Sequence, residues 1–155
     1  MTIDIKTGDL IAGAERLGPS LAESEFLQTV LGKSANVVRQ TTTRNWYEIW
    51  LPDASGREAG VILAFLPGGN LQRINLKFLK PQVRAAGWPG WSEEVEDEMK
   101  VFHDAWLRQQ LRDPPYDFPW GWATSVIDLH GYSAVIIIDY GPRPQVRQRA
   151  VRGQS

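Results

Sequence analysis

Residue types that commonly carry out chemistry are sparse in this chain: two histidines, His103 and His130, and no cysteine. The missing cysteines exclude a thiolate nucleophile, a disulfide framework and a sulfur-ligated zinc. Neither histidine has a second histidine at metal-ligand spacing, and VFHDAW around His103 lacks the paired-histidine pattern of a zinc-binding helix. His103 and Asp104 are helix neighbours, whose side chains diverge by about 100°, so they form no catalytic pair. His103 is expected at a helix edge beside Met99 and Trp106, and His130 in a turn. The glycines of LPGGNL match no phosphate-binding or dinucleotide-binding loop and read as hairpin glycines. The serines and threonines of TTTR and WATSV match no nucleophile elbow. The expectation is a protein with no catalytic residue, no metal and no cofactor.

What remains are groups that recognise rather than react. SEEVEDE places Glu93, Glu94, Glu96 and Asp97 in the first turns of a helix, where the helix dipole favours anions. The polar face of that helix carries Glu93, Asp97, Lys100, Asp104 and Arg108, with Lys100–Asp104 and Asp104–Arg108 at i,i+4 spacing. Val101 adds an apolar spot beside these charges, a combination that suits docking to a basic partner. The same carboxylates are also explained as a solvated first turn. Seven tryptophans are the one unusual count. Trp50 and Trp106 read as core, whereas Trp88, Trp91 and Trp120 fall in or beside loops. The candidate partner-binding set is therefore Glu93, Asp97, Lys100, Val101, Asp104, Trp88, Trp91 and Trp120. The alternative is a small-molecule-binding protein or enzyme with a pocket between helix and sheet, lined by Trp46, Trp88, Trp120 and Tyr116.

These groups must be positioned by a mixed set of elements. MTIDIKTGDLIAG predicts a short strand and a loop, broken at Gly8 and Gly13. A short helix is predicted after Pro19, capped by Ser20 with Glu23 three residues on, and ended by Gly32. NVVRQTTT, NWYEIWL, AGVILAF and LQRINLKFL are β-branched and aromatic runs, with PGGN as the turn of a hairpin. In the last of them Leu71, Arg73, Asn75, Lys77 and Leu79 share one face and Gln72, Ile74, Leu76 and Phe78 the other, so one face of the sheet is expected to be wet. Ser92 caps the longest helix, whose apolar stripe is Val95, Met99, Phe102 and Trp106, and Pro114 and Pro115 stop it. A second hairpin follows, turning near LHGY, with AVIII as a strand buried on both faces or central in the sheet. The predicted fold class is α+β: a single antiparallel sheet of about five to seven strands, with a short N-terminal helix and one long amphipathic helix packed on one face.

At 155 residues and 43% apolar composition, one domain spanning 1–142 is expected, followed by an Arg-rich tail over 143–155 read as disordered. A formal net charge of −1 argues against nucleic acid as a partner. The longest apolar run is far shorter than a membrane span, and the first residues lack a signal-peptide pattern, so the expectation is a cytoplasmic protein that engages no membrane. Its expected state is a monomer or weak homodimer.

WSEEVEDEMKVFHDAWLRQQL followed by WGWATSVIDLHGYSAVIIIDYG resembles the immunity proteins, small bacterial proteins found next to polymorphic toxin genes. The features that carry the resemblance are an acidic amphipathic helix, a strand opening Trp120–Gly121 with Ser125 and Asp128, and a last strand ending at Tyr140. It covers the C-terminal half of the chain. It implies a cytosolic α+β protein that binds another protein, a toxin encoded by a neighbouring gene, and neutralises it by occluding its active site. No catalytic residue carries over.

Overall fold

The computed structural model describes residues 1–53, 57–79 and 92–145. The chain opens with three short strands, β1 (Thr2–Ile3), β2 (Leu10–Ala12) and β3 (Glu15–Leu17), which pair antiparallel into a small sheet of their own. The sequence predicted one strand and a loop here. Gly8 and Gly13, the predicted breaks, lie in the two turns of this small sheet at φ of 77° and 61°, a region in which a side chain is strained.

Two short helices come next, α1 (Glu23–Phe26) and α2 (Val30–Ser34), in place of the single Ser20-capped helix. Helix α1 begins after Ala22, whose N–H donates to Glu25 Oε2 (3.3 Å). The Thr29 hydroxyl accepts the Gly32 N–H (3.0 Å) and opens α2. Gly32 is therefore inside a helix rather than at its end. It is a packing glycine: a Cβ there would lie 1.9 Å from the Phe26 carbonyl oxygen.

The remaining strands, β4 (Asn36–Gln40), β5 (Asn45–Pro52), β6 (Glu58–Phe65), β7 (Leu71–Phe78), β8 (Tyr116–Phe118), β9 (Gly121–Asp128) and β10 (Ser133–Asp139), form one antiparallel sheet in the order β4-β5-β6-β7-β10-β9-β8. β10 is central, as its apolar composition predicts. The PGGN and LHGY turns stand where expected, with Gly68 and Tyr132 at positive φ. The long helix α3 (Glu93–Leu111) starts at Ser92, whose hydroxyl accepts the Val95 N–H (3.2 Å). Among the described residues the protein is α+β, as predicted, with the small N-terminal sheet as an addition.

Parity along the strands sets the two faces. Ile49, Val61, Leu76 and Ile136 are cross-strand neighbours, as are Tyr47, Leu63, Ile74 and Ile138, and all eight are buried. They share one core with Phe26 of α1 and with Met99, Trp106, Leu107 and Leu111 of α3. Each such side chain contributes about 1.5–3 kcal/mol by leaving water. The opposite face carries Glu48, Trp50, Arg73, Asn75 and Lys77, the wet face expected of β7.

Three placements differ from expectation. Trp50 is not core but 42% exposed, because it shares parity with Glu48 and not with Tyr47, Ile49 and Leu51. Leu71 is fully buried although Arg73 is not, because the pairing with β6 shifts register between Ala64 and Phe65. The buried face of α3 is turned relative to the predicted stripe: Glu96, Met99, His103, Trp106, Leu107 and Leu111 are buried, while Val95 and Phe102 are only half-buried.

Candidate functional site

The orientation of α3 is set by two polar side chains on its underside. The β7–β10 ladder ends at Leu76 and Ile136, so the backbone amides beyond it need other acceptors. On its other edge β7 continues, with the Leu79 N–H donating to Glu58 O (2.9 Å). His103 Nε2 accepts the Phe78 N–H (3.3 Å) and Glu96 Oε2 accepts the Ala134 N–H (2.7 Å). Both Glu96 oxygens also take the Lys77 ammonium (2.9 and 3.0 Å), which in turn donates to Ser133 Oγ (2.6 Å).

His103 is thus no edge residue: it is wholly buried among Phe78, Phe102 and neighbouring α3 side chains. Burial, aided by the Lys77 charge, pushes its pKa down to about 4. With Nε2 accepting, a neutral ring carries its proton on Nδ1. This is a structural imidazole that satisfies a strand amide. His130 lies in the exposed β9–β10 turn, as expected.

Because the underside is pinned, the outer surface of α3 is fixed as well. Glu93, Asp97, Val101 and Asp104 all point to solvent, and Val101 is 70% exposed. Lys100 pairs with Asp104 (2.5 Å), whereas Arg108 reaches Asp113 (3.8 Å) rather than Asp104. Asp97 accepts the Tyr132 hydroxyl (3.1 Å), which ties the first turns of α3 to the β9–β10 turn. Five of the sequence-predicted residues, Glu93, Asp97, Lys100, Val101 and Asp104, therefore lie along one ridge.

Trp120 is elsewhere. It occupies the two-residue turn between β8 and β9, since Phe118 pairs directly with Gly121. Its ring stacks on Phe118 (4.9 Å between centroids), meets Tyr140 edge-on (6.1 Å) and lies against Gly8, where a Cβ would come within 2.5 Å. Its indole N–H donates to Ile5 O (3.0 Å). Trp120 fastens the small N-terminal sheet to the end of the large one. Trp88 and Trp91 lie outside the described residues.

The alternative pocket of Trp46, Trp88, Trp120 and Tyr116 is not assembled. Trp46 is on β5 and Tyr116 on β8, five strand positions apart in the sheet, or roughly 24 Å at about 4.8 Å per strand. Arg143, which the sequence assigned to a disordered tail, is held in place. It pairs with Asp117 (2.6 Å), donates to the Tyr116 and Ala123 carbonyls, and covers the Trp122 ring at 4.8 Å.

A feature that residue types did not single out is a hollow of about 260 Å³ on the open sheet face. Trp50 forms one wall and Glu48, Asn75 and Lys77 line it. The Trp50 ring lies across its cross-strand partner Gly60, where a Cβ would come within 3.3 Å of the ring. Asn75 Oδ1 is buried there with no hydrogen-bond partner. The available signal was the shared parity of Glu48 and Trp50, opposite to that of Tyr47, Ile49 and Leu51. Among the described residues, no group of histidine and carboxylate side chains is placed to hold a metal, and no helix is long and apolar enough to cross a membrane.

The chain matches no protein-family profile and no curated protein. Its fold is similar to that of a chain in the solved structure described as "Rhs1-CT in complex with cognate immunity protein RhsI1". The match has a TM-score of 0.57 and 13% sequence identity, and it covers 90% of this chain and 86% of that one. At this identity the likeness is one of fold.

Proposed function

We propose that this protein is a non-enzymatic binding module of the immunity type, which neutralises a cognate toxin by covering its active site. The observation that carries the reading is the outer ridge of α3: Glu93, Asp97 and Asp104 exposed around Val101, on a helix whose underside is locked to the sheet. A rigid acidic surface with an apolar centre suits a basic partner. It steers association electrostatically while the apolar spot supplies contact area. The fold likeness to a chain from a complex containing a cognate immunity protein supports the same reading. On this proposal the protein acts in the bacterial cytoplasm, one copy binding one copy of a toxin encoded by a neighbouring gene.

The test is co-expression with the adjacent gene product, followed by titration calorimetry of the purified pair. One-to-one binding is expected to weaken with rising salt and to weaken by roughly tenfold or more when Asp97 and Asp104 are both replaced by arginine. A complex indifferent to Asp97→Arg/Asp104→Arg, or no complex at all, overturns the proposal.

A further inference from the structure

β9 is longer than the strand that covers its outer edge. β8 pairs with it only from Gly121 to Ala123, and Tyr116 is the first residue of β8. The two residues before Tyr116 are Pro114 and Pro115, which have no N–H and cannot extend the ladder. Phe118 and Gly121 close a two-residue turn and bond to each other, so Gly121 and Ala123 turn their N–H and C=O groups toward β8. Ser125 and Ile127 share that parity, and their N–H and C=O groups leave the sheet at the same edge. The alternation carries across the hairpin: the Ala134 N–H, opposite Ile127, points away from β9 and is accepted by Glu96. Among the described residues, no group bonds to the N–H or C=O of Ser125 or Ile127 on the outer side.

This open edge lies in a groove of about 440 Å³ between β9 and α3. Pro114 and Pro115 stand in its lining, and Lys100, Asp104 and Arg108, at i,i+4 spacing, form the helix wall. Lys100 is taken by Asp104, whereas Arg108 reaches only Asp113, at 3.8 Å, with its side chain 68% exposed. Lys100 and Asp104 also belong to the outer ridge, so the groove is continuous with the surface that carries the protein-binding reading.

We propose that a segment of the protein partner adds to this edge as an extended strand, with an acidic side chain directed at Arg108. Two of its residues, two apart, pair with Ser125 and Ile127. Their side chains rise on the same face as that of Ser125, which neighbours the core residue Ile136 and is turned toward α3. Four main-chain groups at two-residue spacing match an extended peptide and not a helix. A second copy of this chain is the poorer occupant, because each β9 edge lies beside its own α3 and the two helices would meet first. The inference rests on the protein-binding reading for the origin of the segment and on the edge alone for its geometry.

The test therefore needs no toxin. The probe is acetyl-Thr-Val-Glu-Val-Thr-amide, titrated to millimolar concentrations into the full chain labelled with 15N. The expected result is saturable shifts centred on the Ser125 and Ile127 amides, with slowed hydrogen exchange at both. For the glutamate to face Arg108, its own N–H must face β9. A single N-methyl group on the glutamate nitrogen should therefore abolish binding, while one on a valine nitrogen should leave it. Arg108→Glu, an exposed change, should weaken the probe by roughly fivefold or more and favour the peptide with lysine in place of glutamate. Shifts that are absent or spread over other surfaces, equal loss from both N-methyl peptides, or indifference to Arg108→Glu overturn the inference. A peptide response in the absence of any toxin complex leaves this edge standing and removes only the toxin; a toxin complex without a peptide response does the reverse.

Discussion

At the scale of single residues, the ionisable groups that stand out are those the fold has buried, and they serve structure. Glu23 is 7% exposed and accepts from the Tyr47 hydroxyl (2.7 Å), the Asn45 amide (2.7 Å) and the Gly68 N–H (2.8 Å). Burial alone would raise its pKa, but these three donors outweigh that and leave it below the usual glutamate value. His103 gives a sharper test. Its pKa lies near 6.5 when unfolded and at about 4 when folded. Between those values the unfolded chain binds a proton that the folded chain refuses. The stabilisation is therefore complete above about pH 6.5 and is lost progressively as pH falls toward about 4. The expected loss over that window is about 3 kcal/mol, read as a fall in urea midpoint between pH 7 and pH 4. His103→Gln should lower stability at pH 7 and flatten the dependence above pH 5, where most carboxylates are still ionised.

At the scale of elements, the central event is the parting of β7 and β10 and its repair by α3. A helix laid on a fully paired sheet needs only an apolar underside. Here the underside also carries Glu96, 2% exposed, bonded to both separated strands: to β10 through the Ala134 N–H and to β7 through Lys77. Removing one partner of a buried ion pair leaves the other uncompensated. Glu96→Ala is therefore expected to destabilise by about 3–5 kcal/mol, measured by denaturant unfolding. The Lys77→Met/Glu96→Leu double variant, which removes both charges, should recover part of that loss. A similar loss in the single and the double variant would show that the backbone amide of Ala134, not the ion pair, is what Glu96 serves.

At the scale of the whole molecule, the small N-terminal sheet shares the core through Ile3, Leu10 and Leu17 and is fastened at its rim by a few polar and aromatic contacts. Trp120 reaches Ile5 and Gly8, the Tyr140 hydroxyl donates to Gly8 O (3.0 Å), and Gln110 Oε1 accepts the Ile3 N–H (3.2 Å). Trp120→Ala removes the largest of these contacts. The expected cost is about 2 kcal/mol, less than for a fully buried tryptophan. Hydrogen exchange should then show the amides of β1–β3 opening at lower free energy than those of β5–β7. Uniform loss of protection across both sheets would mean that the two unfold as one unit.

The element list was legible in the sequence wherever a local rule decides the outcome. Ser92 and the acidic first turn set the start of α3, the glycines of PGGN set a hairpin, and the apolar run of β10 suited a strand inside the sheet. The exposed ridge from Glu93 to Asp104 follows from helical periodicity alone. The environment of particular side chains was not legible, because it depends on partners distant in sequence. Trp50 was placed outside by strand parity once Tyr47, Ile49 and Leu51 had taken the core. His103 was drawn inside because Phe78, 25 residues earlier, has an amide without a strand partner. Trp120 was turned toward Ile5, 115 residues away, by a two-residue turn. Composition and periodicity determined which elements form and which face of α3 meets water. Only the tertiary structure decided where the sheet parts, which polar groups repair it, and that Trp50, Glu48 and Asn75 share a hollow, because those outcomes depend on which strands become neighbours.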